Sequence, residues 1–219
     1  MTAQRDRLQN HLVVEDGRRL LESTRMELFS DGVFAIAATL LVVEVAVPVA
    51  PEGHLGRALL DAWPAYTGYA VSFAVIGVHW VNHHASMDRI ANADRTLLFL
   101  NLLILGCIAF IPFPTALVAD YITEGGANAK WATFTYAIVL IAAALSFALF
   151  WGYLSRHREL LTADCEPHAP RVAVKRSIAG AGAYAVTAVL ALISPVVAVV
   201  FFFLIAGAFI FAERTSQRS

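Results

Sequence analysis

The chain has 219 residues, of which 58% are hydrophobic and 15% charged, and its formal net charge is −1. The apolar residues come in long runs rather than in periodic stripes, which is the composition of a polytopic membrane protein. The loops between the runs are too short to hold a soluble catalytic domain, and neither an enzymatic cofactor nor a nucleic-acid partner is expected.

Residues 1–24 form a polar N-terminal tail, too polar for the apolar region of a secretory signal. Within it "DRLQNHLVVEDGRRLLEST" fits either a short helix or a frayed tail. The first apolar segment follows at 25–45. Charge-free runs then cover Ala62 to Met87, Thr96 to Ala119, Trp131 to Ser155 and Ser177 to Ala212. The last run has 36 residues, which as one helix would be about 54 Å long against a hydrocarbon core of about 30 Å. Ser194-Pro195 near its middle reads as a turn between two spans. The expectation is therefore an all-α integral membrane protein with six transmembrane helices in one domain, 25–213, followed by a tail at 214–219.

Six crossings put both termini on one side. On that side fall fourteen of the sixteen Lys and Arg residues, while Arg57 and Lys130 fall on the other. By the positive-inside rule the termini are expected in the cytoplasm, with the chain in the cell membrane. Cys107 lies in an apolar run and Cys165 in a cytoplasmic loop, so no structural disulfide is expected.

The first segment, "RMELFSDGVFAIAATLLVVEV", raises the chemical question, because it carries Arg25, Glu27, Asp31 and Glu44. Asp31 and Glu44 are thirteen residues apart, about 20 Å of helix. They cannot both sit in bulk water, and a lipid-facing carboxylate costs roughly 2.5–3.5 kcal/mol at mid-bilayer. Unrolled at 100° per residue, Arg25, Phe29, Gly32, Ile36, Thr39, Leu40 and Val43 fall on one face, while Ser30 and Asp31 point elsewhere. That face runs from a cation, past an aromatic ring, to an aliphatic ladder. Glu44 lies near its far end, where it serves as a mouth charge or packs against another helix. A helix packed in a bundle, with Asp31 bonded to a neighbour, accounts for the same residues. A buried Asp31 and Arg25 would each need a polar partner.

Polar residues inside the later spans offer such partners. "HWVNHH" closes the second span with His79, Trp80, His83 and His84, and Asn101 lies in the third. His79 and His83 at i, i+4 have the spacing of a metal pair, but no second histidine box accompanies them, so no metal site is expected. "YTGYA" at 66–70 lacks the second glycine of a carbonyl filter and sits in an unbroken apolar run, where carbonyls are engaged in helix bonds.

Arg25-x-x-x-Phe29-Ser30-Asp31 resembles the R-x-x-x-F-S-D signature that opens the first helix in the endosomal and lysosomal potassium channel family (transmembrane protein 175) and its bacterial relatives. "FSDGVFAIAATLLV" is similar to that family's pore-lining helix. "HWVNHH", with Trp80, His83 and His84, and Asn101 with "PFPT" at Pro112 to Thr115 extend the match, whereas the last two spans match only in hydrophobicity and spacing. The resemblance implies a potassium-permeable channel whose permeant ions pass a constriction of aliphatic side chains rather than a carbonyl filter. Ile36 matches the tightest position, and Leu40 and Val43 lie one and two turns outward. With one signature and no internal repeat, the chain resembles the bacterial form, which implies a homotetramer. Arg25, Phe29, Ser30, Asp31, Trp80, His83 and Asn101 would support the pore helix, and Thr39 and Glu44 are further candidates for the pore lining. The rival is a proton-linked transporter or proton pathway using Asp31, Glu44 and the His79, His83 and His84 cluster. A membrane-embedded enzyme lacks a complete constellation.

Overall fold

The structure, a computed structural model, describes residues 23–216, with side chains described up to Phe209. The tail segment "DRLQNHLVVEDGRRLLEST" falls almost wholly outside these residues. The described part is helical: α1 at 23–40, α2 Leu55–Asp61, α3 Trp63–Met87, α4 Arg95–Ala109, α5 Pro112–Tyr121, α6 Gly126–Leu154, α7 Ala169–Ile193 and α8 Pro195–Ser216. Arg95–Tyr121, comprising α4 and α5, together with α6 and α7, are long and apolar enough to cross a membrane. The apolar part of α8, Pro195–Phe209, is shorter.

Prolines set the boundaries where the sequence places them. Pro64, Pro112 and Pro170 each sit in the first turn of a helix, where the missing N–H has no intrahelical role. Pro112 divides the expected third span, with a turn at Phe110 and Ile111 between α4 and α5. Ser194 separates α7 from α8 in the same way, its backbone extended before Pro195, as the residue before a proline prefers. Helix α8 continues to Ser216, past the tail boundary expected at 213. Gly125 and Gly126, both with φ near +70°, make the left-handed turn into α6 that a side chain would resist.

Helix α6 is the central post. It packs against α4, α5, α7 and α8, and buries Ala132, Ala137, Ala143 and Ala144 along its length. Small residues on α7, among them Gly180, Ala181, Ala188 and Ala191, are buried as well. Small side chains let two helix backbones approach closely, which is how membrane helices gain packing where lipid gives no hydrophobic drive. Nearer the middle of α3, Ser72 hydrogen-bonds Thr115 at 2.7 Å and Tyr136 at 2.8 Å, joining α3, α5 and α6.

The two loops at the arginine-rich end of the bundle are pinned to each other. The amides of Ala91 and Asn92 donate to the Leu160 carbonyl, and that of Thr162 to the Arg89 carbonyl. Asp94 caps α4 by accepting from the Leu97 amide at 2.8 Å and also accepts from the Tyr153 hydroxyl. Partial desolvation pushes the Asp94 carboxyl up, but the bonds from Tyr153 and Leu97, with His157 nearby, outweigh it and hold the group below its ordinary value. A lowered folded-state value means that this contribution is complete above the unfolded carboxylate range, near pH 4, and is lost as pH falls through the folded value. Asp94→Ala is therefore expected to lower stability at pH 7 by about 1 kcal/mol, the usual effect of losing a cap, and by less at pH 3. Thermal unfolding at the two pH values checks this; an equal loss at both would mean that the carboxylate charge is not what holds the cap.

Candidate functional site

Helix α1 has two faces. Met26, Ser30, Phe34, Ala37 and Leu41 are buried against the rest of the chain, a spacing of three and four that makes one helical stripe. The opposite face is bare. Phe29, Ile36, Leu40 and Val43 are 57%, 60%, 45% and 72% exposed, and Arg25, Gly32 and Thr39 lie outward with them. The face unrolled from the sequence is thus the one the single chain leaves uncovered.

Its outer end departs from the expected geometry. The α-helix ends at Leu40, and beyond it the amides of Val42, Val43 and Val45 each bond the carbonyl three residues back. Such bonds tighten the winding to about three residues per turn. Val43 and Glu44 therefore sit in a turn, exposed, and not on a continuing α-helix. The chain then runs extended over 46–50; the eighteen described residues of α1 span about 27 Å. Thr39 Oγ1 donates to the Ile36 carbonyl at 2.9 Å, so its hydroxyl proton is used within the helix.

The buried face is fastened by a directional line of hydrogen bonds. His83 Nε2 donates to Asn101 Oδ1 at 2.8 Å, Asn101 Nδ2 donates to Ser30 Oγ at 2.9 Å, and Ser30 Oγ donates to the Met26 carbonyl at 2.7 Å. The line crosses from α3 through α4 to α1. Beside it, Trp80 Nε1 donates to Asp31 Oδ1 at 2.9 Å. One turn toward the start of α1, Glu27 lies 3.6 Å from His84, whose ring stacks on Trp80. Five of the residues singled out in the sequence, Ser30, Asp31, Trp80, His83 and Asn101, are thus brought together.

Others are placed differently. Arg25 is exposed and, among the described residues, pairs with no carboxylate, so the notion of a buried Arg25 and Asp31 is corrected. The two are six positions apart and project from different faces. His79 is turned away from α1, its Nδ1 donating to the Val75 carbonyl at 2.8 Å. Two contributors carried no signal of their own in the sequence. Phe34 and Phe147 bracket the His83 ring, with centroids at 5.2 and 6.3 Å. Glu27 was visible only as another charge in an apolar segment.

This arrangement defines a class: a helical membrane protein whose first described helix is tied to its own bundle by a polar line and offers its other face outward. The family model described as endosomal/lysosomal potassium channel TMEM175 matches residues 25–112, the stretch that contains α1 from Arg25 onward and the whole polar line. A potassium channel of Streptomyces collinus is 44% identical, over 79% of this chain and 84% of its own length. The endosomal/lysosomal proton channel TMEM175 of Gallus gallus is 31% identical, over 64% of this chain and 30% of its own. The crystal structure of a lysosomal potassium-selective channel TMEM175 homolog from Chamaesiphon minutus superposes with a TM-score of 0.78 at 36% identity, covering 87% of this chain and 97% of that one. The chain belongs to the TMEM175 family.

Proposed function

We propose that this protein is a potassium-permeable channel of the cell membrane, a homotetramer of six-span chains with both termini in the cytoplasm, in which the bare face of α1 lines a central path. The observation that carries the reading is the division of α1: the polar line fixes one face to the bundle, and the other is a strip of aliphatic side chains that the chain does not cover. Four such strips around an axis bring four copies of Ile36 together. An ion crossing that ring loses water that no carbonyl cage replaces, and narrow apolar rings control permeation by dewetting in this way. Potassium holds its hydration less tightly than sodium, so the ring favours potassium without a filter. The names of the Streptomyces and Chamaesiphon relatives support potassium as the ion.

The supporting residues have distinct parts in this scheme. Ser30, Asp31, Trp80, His83 and Asn101 orient the helix, Arg25 and Phe29 stand at the inner entrance, and Leu40, Val43, Thr39 and Glu44 stand along and beyond the ring toward the outside.

A second reading, proton movement, draws on the name of the animal relative. Its carriers would be Asp31, Glu44, His79, His83 and His84. Against it, His79 and His83 are buried beside aromatic rings, while Glu44 is exposed beyond the far end of α1. Flux in liposomes separates the two. A passive channel moves potassium down its gradient without a proton gradient, and a coupled carrier shows a fixed ratio of protons to potassium.

A further inference from the structure

Toward the end of α3 opposite the pinned loops, a slot of about 190 Å³ lies between α3, α5, α6 and α8. Its walls are stripes that run with the helix axes. Trp63, Thr67 and Val71 line it on α3, and Val196, Val200 and Phe203 on α8, at the three- and four-residue spacings that keep side chains on one face. From Trp63 to Val71 is eight residues, about 12 Å of helix. The space is thus elongated and parallel to the spans, the direction in which acyl chains lie in a bilayer.

The depth of the slot is made by Val71, Val118 and Phe202 with the hydroxyls of Ser72, Thr115 and Tyr136, all on buried residues. Each of those hydroxyl protons is in use. Thr115 Oγ1 donates to the Ile111 carbonyl at 2.8 Å, so Ser72 is the donor in its bond to Thr115, and Tyr136 the donor in its bond to Ser72. A water would find no donor among the residues that line the depth, and an apolar cavity of about 150 Å³ stays dry and takes up hydrocarbon instead. Thr67 stands half-buried one turn from Trp63, nearer the mouth. There Trp63, Val196, Val200 and Phe203 are exposed, so the slot opens on an apolar surface. Trp63 begins α3, and a tryptophan at the end of a span sits at headgroup level; from that level the slot runs into the hydrocarbon.

We propose that this slot holds one acyl chain of a phospholipid from the leaflet at the Trp63 end, entering past Val196 and Val200 and lying against Val71, Val118 and Tyr136. A polar ligand would leave its own groups unpaired in the depth, which costs free energy, whereas an acyl chain exchanges lipid contacts for protein contacts. The group recognised is the chain, so the headgroup plays no part. The inference rests on the membrane-spanning arrangement of the proposed function and not on conduction.

The test is photolabelling of the full chain in liposomes containing a phosphatidylcholine with a diazirine midway along one acyl chain, the adducts being mapped by mass spectrometry of the digested protein. In wild type the buried Tyr136 and Val118 are expected to be labelled at least as strongly as Val189, which is exposed on α7. Val196→Trp at the mouth and Val199→Phe in the wall should each remove most of the Tyr136 and Val118 adducts and leave the Val189 adduct unchanged. The same probe chain on phosphatidylglycerol should reproduce the wild-type pattern. Label at Val189 with none at Tyr136 or Val118 overturns the proposal and leaves a second copy of the chain, or no occupant, at the mouth. Adducts at Tyr136 and Val118 that survive either substitution overturn it too, as does a pattern that changes with the headgroup. Potassium flux through the same liposomes keeps the two readings apart: conduction with an unlabelled slot removes this inference alone, and a labelled slot without conduction removes the channel reading alone.

Discussion

Ile36→Asn is expected to raise single-channel potassium current about tenfold, which corresponds to ~1.4 kcal/mol off the barrier, and to bring the potassium and sodium permeabilities closer together. The amide wets the ring that four isoleucines keep dry, so an ion sheds less of its water there. In the single chain Ile36 is 60% exposed, and the substitution leaves the packed face of α1 untouched. Leu40→Asn should act in the same direction but more weakly, and Val43→Asn more weakly still, because Val43 lies past the last α-helical turn. Val189, 60% exposed on α7, serves as the control, and Val189→Asn should change neither property. Currents with potassium on one side of a bilayer and sodium on the other give conductance and reversal potential together. Unchanged values for Ile36→Asn in assembled protein would put the barrier elsewhere.

Asn101→Leu should have the largest effect on the fold. Asn101 is 2% exposed and bonds both His83 and Ser30, so leucine leaves a buried donor and a buried acceptor without partners. Each orphan costs about 1–3 kcal/mol. Interhelical polar bonds in membranes average only about 0.6 kcal/mol, because groups freed by mutation find other partners. Here the His83 ring is bracketed by Phe34 and Phe147, which offer none. The larger figure should win, and a loss of about 2–4 kcal/mol is expected, with α1 the first element to detach. Thr135→Ala, which removes an exposed hydroxyl bonded within α6, should stay within about 0.5 kcal/mol. Thermal unfolding in detergent compares the two; a loss for Asn101→Leu no larger than the control's would mean that the polar line does not hold the helix.

The parts of this architecture legible in the sequence are those set by local chemistry. Ser194-Pro195 announces its helix boundary because a proline acts on its own backbone and on the residue before it, whereas the break at Pro112 falls inside a run read as one span. The exposed and buried faces of α1 follow from a period of 3.6 residues, and that period fails where the helix does: past Leu40 the chain winds more tightly, so the angle assigned to Val43 was carried one turn too far. The histidine cluster could be grouped with the Asp31 segment because polar residues in apolar spans need partners, whereas Ser30, Trp80 and Asn101 joined the group through the resemblance to the family's motifs. Which atom bonds which could not be read, since the line joins three helices far apart in sequence. Arg25 shows the limit of the same reasoning. A charge beside an apolar segment suggested burial, but its angular position puts it on the bare face, where no described residue pairs with it. The pinning of the 88–94 loop to Thr162 and Leu160 had no signal in the sequence, because it uses backbone amides that every residue possesses.

The central claim is that four bare faces of α1 meet around a conducting axis, and cysteine at its narrowest point tests it most directly. In a background with Cys107 and Cys165 replaced by alanine, Ile36→Cys places one thiol per subunit at the ring. Cadmium added during potassium current recording should then block the current through ligation by thiolates from several subunits, and a chelator should restore it. Val189→Cys in the same background should be unaffected. Current through the Ile36→Cys protein that persists undiminished in cadmium, with all the thiols shown to be free, would contradict the account.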